Sequence, residues 1–314
     1  MNVLNQLING KYALYHGDAV EITKELPDNS IHYSIFSPPF SSLYTYSNSE
    51  RDMGNSKNHN EFYIHFEYLI RELYRVTLPG RLLSFHCMNI PYMKERDGYI
   101  GLHDFRGELI RLFTDSRWIF HSEVCIWKDP LIEATRTKSI GLMHKQLVKD
   151  SSISKQGSPD FLITMRKPGA NQEPISHGRG IESFIGEEEP QQPKNNDPSK
   201  NTYSHHVWRR YASPVWMDIR QTRTLQYRGA RDSNDERHIC PLQLDVIERA
   251  LTLWTNPDDI VFSPFGGVGS EGYSAIKMGR RTVCCELKES YFNQMVKNIR
   301  AINESIQHDL FIND

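Results

Sequence analysis

Strand-like and helix-like segments alternate along two stretches of this chain, residues 12–127 and 242–300. Apolar patterns typical of strands occur at 12–16, 31–36, 81–90, 118–127, 259–263 and 281–286. Helical patterns occur at 19–26, before a stop at 78–80, at 104–114, 242–254 and 270–279, and from 291 onward. Such alternation is typical of a parallel sheet with helices on both faces. The sequence therefore predicts an α/β fold built on a doubly wound, mostly parallel sheet.

The middle of the chain, residues 128–212, breaks this pattern. It is rich in polar and basic residues, and its stretch 168–204 holds five prolines and three consecutive glutamates. Segments of this composition bury little apolar surface and form few regular elements. We therefore expect one half of a domain over 1–127, a partly mobile insertion over 128–212, and the other half of the domain over 213–314.

Composition excludes several classes of protein. The chain has no run of 18 apolar residues, so we expect no membrane-spanning helix and no membrane partner. Its first residues lack a basic region followed by an apolar stretch, so a signal peptide is not expected. The five cysteines are scattered without a C-x-x-C pair, which excludes a disulfide frame or a zinc ribbon and fits a reducing cytoplasm. The net charge of −2 requires that any nucleic-acid-binding surface be a local patch.

A glycine-rich loop follows the strand predicted at 259–263. Gly267, Gly269 and Gly272 form a G-x-G-x-x-G pattern that opens a helix, and Glu286 ends the next strand about 19 residues later. Glycines allow the backbone to approach a ligand closely, and an acid at the end of the second strand can accept both ribose hydroxyls. This context predicts a site for an adenosine-type ligand.

The order of the elements places a second motif beside that site. Few residues follow Glu286, so the remaining strands of the sheet must come from the N-terminal part of the chain. The topological switch point then lies between the strand ending at Ser263 and the strand ending at Phe36, and ligands bind at such points. The segment Ser37-Pro38-Pro39-Phe40 would therefore lie next to the adenosine-type ligand, which argues against NAD.

The chemistry of this segment suits a planar base that carries an exocyclic amino group. Two prolines fix the backbone and remove two N–H donors, so the carbonyls and the Ser37 hydroxyl are acceptors. Phe40 offers a flat face to a ring. Acceptors on the amine hydrogens would draw the nitrogen toward tetrahedral geometry and free its lone pair, without a covalent enzyme intermediate.

These motifs resemble those of the amino-group DNA methyltransferases, which use S-adenosylmethionine. Their catalytic motif, (Asp/Asn/Ser)-Pro-Pro-aromatic, is matched by residues 37–40, and their Phe-x-Gly-x-Gly motif by residues 265–269. The order, with the catalytic motif first, resembles the permuted β group with its Rossmann-like sheet. Residues 236–251 are similar to the segment that helps to hold the methionine moiety. The resemblance covers about 12–127 and 213–300, with the target-recognition region at 128–212.

The resemblance assigns residues to roles. The catalytic residues would be Ser37, Pro38, Pro39 and Phe40. The cofactor-binding residues would be Asp18, which would face the adenine, with Ser263, Pro264, Phe265, Gly266, Gly267, Gly269 and Glu286. Many members of the family carry Asp where this chain has Ser263, a departure that leaves the contacts of the glycine loop available.

Two regions carry the basic residues expected for DNA binding. Residues 201–231 contain six arginines, one acid and interleaved aromatic residues, which suits phosphate contacts and base stacking. Residues 134–155 are also basic. The predicted DNA-binding residues are Arg136, Lys138, Lys145, Arg209 and Arg210. No metal site is expected, because His86, His121, His205 and His206 lack metal-ligand spacing; they are interpreted as surface or core residues.

The substrate predicted is double-stranded DNA with its target base extruded into the pocket and stacked on Phe40. Loop 41–59 would order over this substrate. Serine at the first motif position favours cytosine N4 by resemblance, with adenine N6 as the alternative. A homodimer, a cognate restriction endonuclease or an orphan enzyme, and a bacterial or phage origin with a nucleoid-associated cytoplasmic location are compatible with the resemblance.

Other functions would need other features. A cytosine-C5 enzyme needs a nucleophilic cysteine in a Pro-Cys pair, whereas this chain has Cys240-Pro241, and Cys240, Cys284 and Cys285 are predicted to pack in the core. An RNA or protein amine methyltransferase shares related motifs, but the permuted order and the central insertion argue against it. A DNA-binding module without catalysis would not need the cofactor loop.

Overall fold

The computed structural model describes residues 3–40, 53–92, 97–99, 101–137, 139–230 and 241–312. Its strands are β1 (Asn5–Ile8), β2 (Tyr12–His16), β3 (Ile31–Phe36), β4 (Thr77–Cys87), β5 (Ile90–Tyr92), β6 (Gly101–His103), β7 (Ile119–Ile126), β8 (Asp160–Arg166), β9 (Val215–Trp216), β10 (Ile260–Ser263) and β11 (Arg281–Glu286). Its α-helices are α1 (Ala19–Glu25), α2 (His59–Val76), α3 (Phe105–Asp115), α4 (Pro130–Thr137), α5 (His144–Lys149), α6 (Thr202–Tyr211), α7 (Leu244–Trp254), α8 (Ser270–Lys277) and α9 (Glu289–Ile312).

Within the described ranges, nine strands form one sheet in the order β1-β2-β11-β10-β3-β4-β8-β7-β9. The central strands from β2 to β4 are parallel to one another. β8 is antiparallel to both β4 and β7, and β1 is antiparallel to β2. The predicted doubly wound, mostly parallel sheet is therefore confirmed. β5 and β6 form a separate two-stranded hairpin.

Helices cover both faces of this sheet because its strands are apolar on both sides. Phe36 and Phe262 pack with α1, α2 and α3 on one face. Tyr33 and Val261, from the same two strands, pack with α7 and α8 on the other face. Helix α9 covers the β2–β11 end of the sheet through Phe292 and its neighbours. No helix in the described part of the chain has the length and apolar composition that a membrane span requires.

Helix α2 illustrates how local sequence sets an element. Asn58 caps its first turn by accepting the N–H of Glu61 at 2.9 Å. The apolar residues spaced along it are buried as predicted: Phe62, Phe66, Leu69, Ile70 and Leu73. The helix ends at Val76, just before the predicted stop, and the chain passes directly into β4.

The sequence placed all of residues 128–212 outside the sheet, and for residues 160–166 this is wrong. These residues form β8, which lies between β4 and β7. The strand is a short apolar run between polar stretches, so its local pattern was overlooked. Most of the region that follows packs through α6 around a small cluster of its own, formed by Ile181, Ile185, Tyr203, Val207 and Tyr211.

Candidate active site

Two adjacent parallel strands deliver the two predicted motifs to one cavity. β10 pairs with β3 through Val261 and Tyr33 and through Phe262 and Ser34, so their carboxyl ends lie side by side. The rings of Phe36 and Phe265 are 5.8 Å apart and join the strands where they end. A cavity of about 380 Å³ opens beyond this edge and is lined by residues of both motifs. The predicted switch point is therefore where a ligand-sized cavity lies.

The glycine loop after β10 is folded tightly against the end of β11. Gly266 donates its N–H to the Cys285 carbonyl at 2.7 Å, and Gly269 donates to the Gly266 carbonyl at 2.7 Å. Gly267 has φ 51° and Gly269 has φ 91°, values that favour glycine. A Cβ on Gly267 would meet nothing within 4 Å, whereas one on Gly269 would lie 2.9 Å from the Met295 Cγ. Gly267 thus faces the cavity, and Gly269 makes room for helix α9.

The predicted cofactor-binding residues divide accordingly. Six of them line the cavity: Asp18, Pro264, Phe265, Gly266, Gly267 and Glu286. Two are not among its lining residues, namely Ser263 and Gly269. The absent side chain of Gly269 serves packing against Met295, and its role in cofactor binding stays a prediction.

The two acids of the cofactor end have contacts within the protein. One carboxylate oxygen of Glu286 accepts the N–H of Gly267 at 2.7 Å, and the other accepts the N–H of Lys288 at 2.8 Å. Asp18 caps helix α1 by accepting the N–H of Glu21 at 2.9 Å. Both acids line the cavity, so each combines a structural contact with a position at the ligand site.

The residues at this end fit an adenosine-type cofactor. Gly267 leaves open space at the wall, and the apolar side chains of Phe265, Leu242 and Val268 line the cavity. The buried hydroxyls of Ser263 and Ser270 have no hydrogen-bond partner within the described structure. Buried polar groups without partners are rare and point to a ligand or water that completes them.

The catalytic motif presents its serine to a histidine. The Ser37 Oγ lies 3.0 Å from the Nδ1 of His86, which is on β4 next to β3. Ser37, Pro38, Pro39 and Phe40 all line the cavity, and the Phe40 ring packs 6.3 Å from the Phe105 ring. The Ser37 hydroxyl is thus held by a side chain that the sequence interpretation had set aside as a surface or core histidine.

A buried acid and a lysine extend the line of contacts that runs from Ser37 to His86. Its Nε2 lies 3.2 Å from the Oδ2 of Asp160 but outside good hydrogen-bond alignment, and Lys128 Nζ lies 2.6 Å from the Oδ1 of Asp160. Burial alone would raise the pKa of Asp160, but the charges of His86 and Lys128 outweigh it and lower the pKa to about 2. Lys128 supplies a cation to Asp160 whatever the charge of His86, so Asp160 is ionised at neutral pH. In the neutral form of His86, a proton on Nε2 lies 3.2 Å from this carboxylate and leaves Nδ1 as an acceptor for the Ser37 hydroxyl.

The sequence interpretation missed His86, Asp160 and Lys128 as site residues. All three line the same cavity as Ser37. His86 lies near the carboxyl end of a strand beside β3, and that position was a usable clue. Asp160 begins the antiparallel strand β8, and neither it nor Lys128 carries a recognisable motif. Both belong to the range 128–212, so that range contributes to the candidate active site.

Three of the predicted DNA-binding residues, Lys145, Arg209 and Arg210, are not among the residues that line the cavity. Lys145 is exposed on α5, and Arg209 is exposed on α6. Arg210 is partly exposed and pairs with Asp218 at 3.2 Å. Lys138 and the side chain of Arg136 lie outside the described residues, as do the loop 41–52 and Cys240.

Several residues of the basic and aromatic segment 201–231 make contacts within the protein. Trp216, Tyr203 and Tyr211 are buried. Arg220 and Arg223 both pair with the buried Asp245 of α7, at 2.7 and 2.6 Å. These residues therefore have roles within the fold, and Tyr227 of the same segment lines the cavity.

The prediction that Cys284 and Cys285 pack in the core is confirmed, whereas Cys240 lies outside the described residues. Cys284 and Cys285 are fully buried in β11, and burial raises the pKa of the Cys284 thiol to about 12. A thiol with such a pKa is protonated at neutral pH and is a poor nucleophile.

Among the described residues, one group has the spacing of metal ligands, formed by His32, Glu173 and Asp259. The His32 Nδ1 accepts the N–H of Ile260, so its Nε2 carries the proton and faces the two acids. Arg81 pairs with Asp259 and supplies the positive charge there. We interpret this group as an ion-pair network that ties β10 to β4.

Comparisons with known proteins agree with this geometry. The family model for N6/N4 DNA methylases matches residues 31–297. The type II methyltransferase M.BamHI of Bacillus amyloliquefaciens is 24% identical over 280 residues, covering 87% of this chain and 54% of that protein. This chain thus spans about half the length of that relative.

Two solved structures share the fold. TTHA0409 from Thermus thermophilus, complexed with S-adenosyl-L-methionine, superposes with a TM-score of 0.64 at 18% identity, covering 92% of this chain and 93% of that one. The cytosine-N4-specific PvuII DNA methyltransferase gives 0.61 at 16% identity, covering 97% and 96%. Since the family model spans most of the sequence, from β3 into α9, this chain belongs to the N6/N4 DNA methylase family.

Proposed function

We propose that this protein transfers a methyl group from S-adenosylmethionine to the N4 amino group of cytosine in double-stranded DNA. The observation that carries the proposal is the line of contacts from Ser37 through His86 to Asp160, which faces the same cavity as the glycine loop. An acceptor for a proton and a wall for an adenosine-type cofactor thus share one site.

The cofactor end would hold S-adenosylmethionine through residues that already line the cavity. Gly267 admits the ligand to the backbone, and Glu286 is placed for the ribose hydroxyls once its bond to the loop rearranges. When bound, S-adenosylmethionine supplies an electrophilic methyl group and a neutral thioether leaving group.

The catalytic end would activate the amine. With its hydrogen donated to the His86 Nδ1, the Ser37 oxygen is left to accept a hydrogen from the substrate amine. The bond between nitrogen and the methyl carbon forms as the bond between carbon and sulfur breaks, and one amine proton must leave. Ser37 passes this proton to His86, and the Asp160 carboxylate stabilises the imidazolium that results.

Serine in this role is a relay and an acceptor. A serine nucleophile would form a methyl ether, and a second transfer to the amine would then have to expel a poor alkoxide leaving group. Direct in-line transfer needs only orientation and release of the lone pair.

Cytosine N4 is proposed because a serine opens the catalytic motif, as the resemblance to the family implies. Adenine N6 is the alternative, since both bases present an amine beside a ring nitrogen. Extrusion of either base from the duplex costs about a few kcal/mol of unstacking and unpairing energy. Stacking on Phe40 at the cavity wall would compensate part of it.

DNA binding is proposed for Arg136, Lys138, Lys145, Arg209 and Arg210, with target recognition in the range 128–212. Of the described side chains, Lys145 and Arg209 are exposed and Arg210 shares its charge with Asp218. Because each phosphate contact contributes about one unit to the logarithmic salt slope of binding, replacing Arg209 and Arg210 together by Ala should flatten that slope. An unchanged slope would assign both arginines to structure alone.

Methyl transfer from labelled S-adenosylmethionine to unmethylated duplex DNA tests the function. Digestion to nucleosides and mass spectrometry should give N4-methylcytosine, and N6-methyladenine in its place would establish the alternative base. Parallel reactions with RNA and with protein distinguish other amine acceptors, and the Ser37→Ala variant is the inactive control. Absence of methylated DNA from a protein that binds the cofactor would refute the proposal.

A further inference from the structure

Glu271 is a buried acid in the cavity whose contacts set it apart. It lies in the first turn of α8, directly after the glycine loop, and its residue surface is only 5% exposed. Its side chain lines the cavity. Across the described residues, the side chain has its own backbone N–H as a hydrogen-bond donor and the Glu286 carboxylate as a charged neighbour, and no cation pairs with it.

Four of the other five buried acids of the described chain pair with a cation. Asp160 pairs with Lys128, Asp259 with Arg81, and Asp245 and Glu248 with Arg223. Glu133, the remaining one, accepts the N–H of Ser158. A buried ionised carboxylate that no cation pairs with is strongly disfavoured, so the surroundings of Glu271 need an explanation.

We propose that Glu271 is the anionic partner of a positively charged group of S-adenosylmethionine, either its sulfonium or its α-ammonium. The inference rests on the proposed function, because it assumes that this cofactor occupies the cavity. Ser270, the residue before Glu271, lines the same cavity, and its buried hydroxyl has no partner in the described structure, which marks this wall as a polar surface that a ligand completes.

The protonation of Glu271 supports the assignment. Burial, with a smaller contribution from the Glu286 charge, raises the pKa of Glu271 to about 8. The carboxyl group is therefore mostly neutral at pH 7 in the free protein, and a cation entering the cavity would ionise it. Binding should then release a proton.

Other titratable groups near Glu271 need to be separated from this effect. The Glu286 carboxylate and the Cys284 thiol interact with it, and Lys288 lines the same cavity. Glu271→Gln removes the titration of residue 271 while it keeps these neighbours and the shape of a protonated carboxyl group. Glu289→Gln, an exposed acid of helix α9, is the matched control.

Titration calorimetry at pH 7, in two buffers with different ionisation enthalpies, tests the proposal with three ligands. S-adenosylmethionine carries sulfonium and ammonium, S-adenosylhomocysteine carries the ammonium alone, and 5′-methylthioadenosine carries neither. Glu271→Gln should weaken S-adenosylmethionine binding by about 10- to 100-fold, the scale of a hydrogen bond to a charged group. Its affinity for 5′-methylthioadenosine should match that of the wild type and of the control.

The second ligand then identifies the charge. An equal loss of S-adenosylhomocysteine affinity assigns Glu271 to the ammonium, and an unchanged affinity assigns it to the sulfonium. The wild-type protein alone gives an independent result: it should release about one proton on binding S-adenosylmethionine and none on binding 5′-methylthioadenosine.

The failures are distinguishable. If the wild type binds S-adenosylmethionine and Glu271→Gln binds it equally well, the role of Glu271 is refuted and the proposed function stands. If the wild type releases no proton with S-adenosylmethionine, the role is refuted as well. If the wild type does not bind S-adenosylmethionine at all, the proposed function fails together with this inference.

Discussion

Two buried carboxyl groups line the same cavity and differ in how the protein treats them. Asp160, beside the catalytic motif, has His86 and Lys128 around it, and its pKa is lowered to about 2. Glu271, beside the glycine loop, has another acid as its charged neighbour, and its pKa is raised to about 8. The catalytic end is electrostatically complete before any ligand arrives, whereas the cofactor end still lacks a cation. The charges around the proposed proton-transfer residues are thus paired in advance, whereas the charge at the cofactor end is to be paired by the ligand.

The largest effect is expected from replacing His86, the proposed proton acceptor of the catalytic end. His86→Ala should lower the rate of methyl transfer by about 10²- to 10⁴-fold, the range of general acid–base catalysis. Cofactor affinity should be unchanged, because His86 contacts Ser37 and Asp160 and not the glycine loop. Single-turnover kinetics and calorimetry on the same preparation measure the two effects.

His121→Ala is the matched control for this variant, because His121 is exposed on β7 and does not line the cavity. It should retain wild-type rate and affinity. A His86→Ala enzyme that turns over like this control would remove the relay from the mechanism.

The next largest effect is expected on stability, from Asp160→Asn. The change removes a buried charge and leaves Lys128 and His86 unpaired, which should lower the free energy of unfolding by about 3 kcal/mol at pH 7. The sign of the pH dependence follows from the lowered pKa: this contribution is present above about pH 4 and is lost as pH falls toward 2. Urea unfolding at several pH values should show the difference from wild type shrinking in acid.

Asp115→Asn, at the exposed end of α3, provides the background for that series. It should be nearly neutral at every pH. An Asp160→Asn variant as stable as this control would mean that the catalytic end is not held together by its charges.

A smaller effect is expected at the substrate side, from Phe40→Ala. The ring lines the cavity and packs against Phe105 without contact to the relay. Loss of stacking on the extruded base should weaken binding in the transition state by about 1–3 kcal/mol, with the pH profile of the reaction unchanged. Measurement of kcat/KM against pH checks both points, and a shifted profile would show that Phe40 tunes the relay.

The sequence predicted only part of the difference between the two ends of the cavity, and the reason differs from residue to residue. The adjacency of β3 and β10 followed from counting strands, and it correctly joined Ser37 to Gly267. Asp160 was missed because it arrives on an antiparallel strand far along the chain, which obeys no motif. The ion pairs of Arg220 and Arg223 were not foreseen, because their partner Asp245 lies on a helix that is recognised in the sequence by its apolar residues. Charge pairing across distant segments is set by tertiary packing, and local composition does not reveal it.

The last expected effect concerns the other carboxyl group, and its sign is the sharpest test of the comparison. In the cofactor-free protein, Glu271 has a raised pKa, so between about pH 4.5 and 8 the folded state holds a proton that the unfolded state has lost. Its contribution to stability is therefore complete below pH 4.5 and declines as pH rises toward 8, the opposite slope to that of Asp160. Glu271→Gln removes the decline, so the variant should be more stable than the wild type at pH 8, by up to about 5 kcal/mol on a scale of about 1.4 kcal/mol for each unit of the pKa difference. Saturating S-adenosylmethionine should then make the wild type the more stable of the two proteins. A ligand stabilises the folded state more when the folded protein binds it more tightly, and Glu271 of the wild type is proposed to bind the cation of this ligand. Urea unfolding at pH 5 and pH 8, with and without the cofactor, gives the four values needed. Equal stability of the two proteins at pH 8 without cofactor would show that Glu271 is ionised there already, and the two ends of the cavity would then be electrostatically alike.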